Sequence, residues 1–355
     1  MEVNKKYFVT GIGNAVVDIL AFVDDSLLKK NKFAKGSSSL IDRKEAPKLT
    51  DFQSIKYEKI HSGGSVANSI CTLASLNKNI KTAFIGRVGD DKYGKIFDED
   101  LKRSNVYFHS KNRTHSGLTA KSFILITPDG KRTMRTFLES ASDIGDEIEI
   151  SVADKVLIAN SSILYLEGYL WDKVDIIRYL RDAINVAISN QTIVALNLSD
   201  SSCAKRHRND FLRLLTSIDI IFSNENEIKS LMNVDAINLK EVSNLLRLGN
   251  TTLVMTLNDK GAIIFDRDNF YEITSTNKIT NPLDMTGARD CFIAGFLYGL
   301  TKNYSLKRSA EIGNIIASNI IQKLGARFEE YEIEKLVNLF NPDQSLEPPI
   351  ISAKT

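Results

Sequence analysis

Two hydrophobic periods alternate along this chain. Short runs rich in β-branched residues at 7–12, 82–85, 163–166, 192–196, 218–222 and 253–256 predict strands. Longer stretches with apolar positions at helical spacing, near 66–76, 94–103, 174–188, 208–216, 225–232, 239–248 and 305–324, predict helices. Alternating strands and helices imply an α/β fold: a doubly wound, mostly parallel sheet with helices on both faces. Ligands bind such sheets beyond the carboxyl ends of their strands. One region breaks the rhythm. Segments 119–127 and 132–138, joined by Pro128-Asp129-Gly130-Lys131, predict a hairpin, and 15–22 and 37–41 add extended segments to it. Residues 342–355 contain three prolines and few packing signals, and read as irregular.

Composition narrows the class. The 355 residues include 25% charged and 43% hydrophobic positions, as in a soluble globular protein with a sizeable core. A net charge of +2 gives no electrostatic case for nucleic acid. No apolar run reaches membrane-spanning length, and the Lys/Glu-containing start lacks a signal-peptide core. Cys71, Cys203 and Cys291 have no metal-ligand spacing and suit a reducing cytoplasm.

The chemistry concentrates near the end of the chain. Residues 281–292 place Thr286, Gly287, Ala288 and Asp290 ahead of a helix whose Phe292, Phe296 and Leu300 share one face. Gly295 and Gly299 leave room for a close neighbour. The start of that helix offers unpaired N–H groups and the positive end of its dipole. A carboxylate there suits phosphoryl transfer to a hydroxyl, with Asp290 taking the proton. The same residues also make an ordinary helix cap. A second motif, His61-Ser62-Gly63-Gly64-Ser65-Val66-Ala67-Asn68, precedes another predicted helix. Its paired glycines permit close ligand approach, and Asn68 offers both donor and acceptor. Gly11-Ile12-Gly13 follows a strand, but a dinucleotide fingerprint needs its third glycine at position 16, which is Val16.

In this order, Gly-Gly-x-x-x-Asn early and Gly-Ala-x-Asp late, the two motifs resemble the signatures of the ribokinase (PfkB) family of sugar and nucleoside kinases. Residues 86–94, Asn224 to Glu227 (Asn-x-x-Glu) and 255–261 are similar to further family segments. The resemblance extends from about Val9 to Phe328. The stretches 13–18, 122–134 and 165–171 look like the bacterial adenosine-kinase-like branch.

The resemblance implies a ribokinase-like fold: a kinase core from 1–15, 49–104 and 141–345, a β-sheet lid from 16–48 and 105–140, and a tail from 346. It implies an ATP- and magnesium-dependent kinase acting on a primary hydroxyl of a nucleoside, adenosine first, or of a sugar. Asp290 would be the base, with Gly287, Ala288 and Arg289 around the transferring phosphoryl group. Asn14, Asp18, Gly63, Gly64 and Asn68 would hold the acceptor. Asn224, Thr256, Asn258 and Gly261 would sit beside the nucleotide, Asn224 and Glu227 would act at the magnesium directly or through water, and Asp284 would belong to a monovalent-cation loop. Relatives imply a monomer or homodimer. Two departures stand out: Asn258 replaces a nucleotide-loop glycine, and Arg289 replaces the glycine before the base. An arginine there either joins the phosphate clamp or blocks it. The second outcome would make the chain a catalytically impaired nucleoside- or nucleotide-binding protein.

Overall fold

The β-branched runs do form strands, and their order in space sets where a ligand can sit. The structure is a computed structural model describing residues 5–42, 44–45, 49, 57–109, 117–138, 150–266, 269–275 and 279–340. In chain order the strands are β1 (Tyr7–Ile12), β2 (Val16–Phe22), β3 (Ser38–Leu40), β4 (Tyr57–Gly63), β5 (Thr82–Ile85), β6 (Val106–His109) and β7 (Ala120–Ile126). They continue with β8 (Arg132–Phe137), β9 (Ser161–Glu167), β10 (Ile193–Asn197), β11 (Ile220–Asn224), β12 (Thr252–Thr256), β13 (Gly261–Asp266) and β14 (Asn269–Thr274).

The larger sheet has nine strands in the order β14-β13-β12-β11-β10-β9-β1-β5-β6. From β12 to β6 every pairing is parallel, and β13 and β14 add an antiparallel edge. The strand order reverses between β1 and β9, which opens a crevice at their carboxyl ends. β9 shows why its run is continuously apolar. Ile163 and Tyr165 enter the core on one face, Leu164 and Leu166 the core on the other. Helices Ser65–Leu76, Ala288–Thr301 and Leu306–Ile320 cover the first face; Val174–Ser189, Glu225–Met232 and Leu239–Arg247 cover the second. The expected close neighbour exists: a Cβ on Gly295 would come within 2.7 Å of the Gly313 backbone. Among the described residues, no helix is long and apolar enough to cross a membrane.

The smaller sheet has five strands, ordered β3-β8-β7-β2-β4. Its hairpin turns where expected, with Thr127 N donating to Lys131 O at 3.0 Å. Two strands differ from the sequence-based boundaries. β4, expected in the core, pairs antiparallel with β2 and belongs to the small sheet. β6, expected in the lid, pairs parallel with β5 at the edge of the large one. Both are short or polar, so the pattern did not assign their partners. β13, β14 and helices Asp25–Lys30, Val152–Ala159, Ser201–Arg206 and Glu330–Val337 were not anticipated; β14 carries Phe270, Tyr271 and Ile273, of which only Ile273 is buried. The expected irregular tail, 346–355, lies outside the described residues.

Candidate active site

Polar side chains gather at the carboxyl ends of the parallel strands: Glu167 ends β9, Asn197 β10, Asn224 β11 and Thr256 β12, while Asn14 follows β1. Onto this edge two helices direct their first turns. Helix Ser65–Leu76 begins after Gly64, and helix Ala288–Thr301 begins after Gly287, whose φ of 74° is left-handed. The first helical bond of the latter runs from Cys291 N to Gly287 O at 2.8 Å, so the Arg289 and Asp290 amides lie ahead of it.

Asp290 is buried where the two first turns meet. Its carboxylate accepts from Ser65 Oγ at 2.6 Å and from Asn68 Nδ2 at 3.0 Å. Asn68 is oriented in turn, because its Oδ1 accepts from Arg327 Nε at 2.9 Å. Asn197 Nδ2 donates to Ser65 Oγ at 3.2 Å. Burial pushes the Asp290 carboxyl above its ordinary range, while the bonds from Ser65 and Asn68 and the Arg289 and Arg327 charges favour the ionised form. A carboxylate held on two donors and partly desolvated suits general-base work.

The expected acceptor residues also come together. Asp18 on β2 lies against Gly63 on β4, where a Cβ would stand 2.3 Å from Asp18 Oδ2. Burial raises the Asp18 carboxyl to about 7, opposed by Arg327 and reinforced by the Asp290 and Asp284 charges. Glu167 takes bonds from the Asn14 side chain and, at 3.1 Å, from the Asn14 amide. Its own carboxyl is also raised by burial to about 7.

Glu227 and Asp284 were expected at cations, and each is met instead by a guanidinium. Glu227 Oε1 lies 2.7 Å from Arg289 Nη2 and accepts from Asn224 Nδ2 at 2.9 Å; its Oε2 accepts from Asn224 N at 3.1 Å. Asn224 and Glu227 thereby complete a capping box on helix Glu225–Met232. Asp284 accepts from Thr286 N at 2.6 Å and Gly325 N at 2.7 Å, and pairs with Arg132 of β8. Arg132 also donates to Thr286 Oγ1, so the small sheet is tied to the loop before the Asp290 helix. With both carboxylates engaged by donors and neutralised by arginine, this donor set does not fit a directly coordinated cation. The loop expected beside the nucleotide closes on itself. Leu257 N donates to Gly261 O at 2.8 Å, and Thr256 Oγ1 reaches Ser223 O at 3.2 Å. Asn258 takes φ 56°, a left-handed conformation that asparagine tolerates in place of glycine.

Arg289 is helical, so replacing glycine there costs no left-handed strain. Sequence reading passed over several partners. Ser65 lies within the Gly-Gly motif, and Glu167 and Arg132 lie within stretches that carry the family resemblance, but none of them has a role that the sequence implies. Arg327 follows a helix end with no local signal at all.

Residues 38–332 match the family model for pfkB family carbohydrate kinases. The adenosine kinase structure from Sinorhizobium meliloti is 34% identical, covers 91% of this chain and 96% of that one, and superposes with a TM-score of 0.79. A probable sugar kinase from Rhizobium etli CFN 42 is 31% identical over 95% of this chain and 100% of that one, with a TM-score of 0.82. Adenosine kinase 2 of Arabidopsis thaliana is 23% identical over 90% of this chain and 95% of its own length.

Proposed function

The chain belongs to the pfkB carbohydrate kinase family, and from that premise we propose that it transfers the γ-phosphoryl group of ATP to a primary hydroxyl of a nucleoside, with adenosine as first choice. Phosphotransfer to a hydroxyl is the family's reaction, and its members use ATP, generally with magnesium. The observation that carries the assignment is Asp290, fixed by Ser65 and Asn68 at the start of helix Ala288–Thr301. Asp290 orients the acceptor hydroxyl and takes its proton as the phosphoryl group arrives. The amides from Gly287 to Asp290 stabilise charge on the transferring group. Asp18 accepts from the acceptor's hydroxyls, and Asn14, Gly63, Gly64 and Asn68 complete its pocket. Asn224, Thr256, Asn258 and Gly261 line the nucleotide side. The small sheet acts as a lid that excludes competing water.

The likeness to adenosine kinases from S. meliloti and A. thaliana supports a nucleoside acceptor. A sugar acceptor is the second reading, favoured by the likeness to the R. etli probable sugar kinase. Adenosine diphosphate release with adenosine, other nucleosides, ribose and fructose separates them. Asp290→Asn should lower turnover about 10²–10⁴-fold with the melting temperature retained. Undiminished turnover by that variant refutes the assignment. Saturable adenosine binding by wild type without product, with turnover recovered in Arg289→Gly, would instead establish a binding protein.

A further inference from the structure

We propose that in this chain the Arg289 guanidinium takes the place of a divalent cation at Glu227 and itself binds the terminal phosphates of the donor nucleotide. The inference rests on the kinase reading for the identity of the ligand, and on geometry for the rest. Glu227 is fully buried, and its carboxylate meets three donors: Arg289 Nη2 at 2.7 Å, Asn224 Nδ2 at 2.9 Å and Asn224 N at 3.1 Å. A buried carboxylate needs one compensating charge, and here a side chain of the same chain supplies it. A directly bound divalent cation would have to expel that guanidinium or sit against it, and either is costly.

The guanidinium is also anchored from its other side. Its Nη1 donates to Ser199 O at 2.5 Å, and Ser199 holds a left-handed φ of 72°. Two contacts leave donors to spare on a group that carries five N–H bonds. The Arg289 side chain remains 25% exposed, so the spare donors can reach an incoming anion. Arg289 follows Gly287 and Ala288 directly and precedes Asp290, so the charge stands on the same turn as the proposed base. A planar fork of donors, fixed at two points, suits phosphate oxygens better than a mobile lysine would.

Three measurements test this. Titration of nucleotide-free protein with Mn²⁺, read by loss of the free-ion electron paramagnetic resonance signal, should show no site that depends on Glu227 in wild type. Arg289→Gly should gain one Mn²⁺ site, and Arg289→Gly combined with Glu227→Gln should lose it again. Calorimetric titration with ATP in excess EDTA should give wild-type affinity within about threefold of that with magnesium, and Arg289→Gly should lose about tenfold or more of the metal-free affinity alone. Arg289→Lys serves where Arg289→Gly does not fold, and should show an intermediate loss. A wild-type Mn²⁺ site abolished by Glu227→Gln overturns the proposal, as does metal-free ATP affinity indifferent to Arg289. Absence of ATP binding under every condition would sink the kinase reading, while the Mn²⁺ titration of wild type still decides whether Arg289 excludes the metal.

Discussion

Asn68→Ala should shift the pH dependence of turnover, because Asn68 is the middle of a relay. Its Nδ2 donates to Asp290 at 3.0 Å and its Oδ1 accepts from Arg327 at 2.9 Å. Both partners are charged, and hydrogen bonds to charged groups contribute about 1.5–3 kcal/mol each. Truncation strips one donor from a carboxylate that burial already pushes upward. Since about 1.4 kcal/mol corresponds to one pKa unit, the acidic limb of the kcat profile should move up by about 1–2 units. At the alkaline plateau Asp290 is ionised in both proteins, and the residual loss there reports misorientation alone, about tenfold for each 1.4 kcal/mol. A merely structural Asn68 would scale the whole profile and lower the melting temperature without moving its limb. The assay is steady-state kcat from pH 5 to 9, with Ser65→Ala in parallel, since Ser65 donates to the other Asp290 oxygen. An acidic limb that stays in place in both variants refutes the relay.

Other consequences are measurable. Asp18 and Glu167 are carboxyls raised to about 7, so the folded state keeps protons that the unfolded chain releases near pH 4. Stability therefore falls as pH rises from about 4 to about 7, and urea midpoints of Asp18→Asn should lose part of that slope. Acceptor affinity should run the opposite way, strengthening through pH 7 as Asp18 ionises, with Asp18→Asn flat; an Asp18→Asn profile as steep as wild type refutes the role. Arg132→Ala should leave the buried Asp284 without its counter-charge and cost about 3–5 kcal/mol in urea unfolding. A loss below about 1 kcal/mol would place that pair among weak surface bridges.

Much of this was legible in sequence because one rule did most of the placing. Runs such as 163–166 are apolar at consecutive positions only when both faces of a strand are covered, which implies a parallel sheet and hence a site at its carboxyl edge. Asp18 and Gly63, distant in sequence, were both assigned to the acceptor, and the pairing of β2 with β4 brings them into contact. What escaped was long-range electrostatics. Nothing local in Gly325-Ala326-Arg327 says that Arg327 will reach Asn68 across 259 positions. Nothing in Arg132 says that it will span from one sheet to Asp284. Periodicity reports which face a residue takes, whereas ion pairs depend on loops that periodicity does not describe. For the same reason Glu227, which the family resemblance places at the magnesium, is in space the partner of Arg289.

The charges explain why three arginines converge on this edge. Asp18, Glu167, Glu227, Asp284 and Asp290 are all buried within reach of one another's fields or of shared partners. So many ionised carboxylates in one low-dielectric crevice would repel each other and any polyphosphate approaching them. Arg289 and Arg132 each neutralise one of them by contact, and Arg327 lowers the cost for both Asp18 and Asp290. Burial raises the Asp290 and Glu227 carboxyls as well, against the Arg289 charge; Glu167, whose donors among the described residues are neutral, and Asp18, opposed by the Arg327 and Arg132 charges, are raised by burial to about 7. At neutral pH they share protons with solvent, which trims the negative charge further. Two neutral donors aim the Asp290 carboxyl at a substrate, and the Arg289 and Arg327 charges favour its ionised form against burial. A tetra-anionic donor would then meet a nearly balanced site, and removing any one arginine should weaken its binding more at pH 8 than at pH 6, because Asp18 and Glu167 are more ionised there.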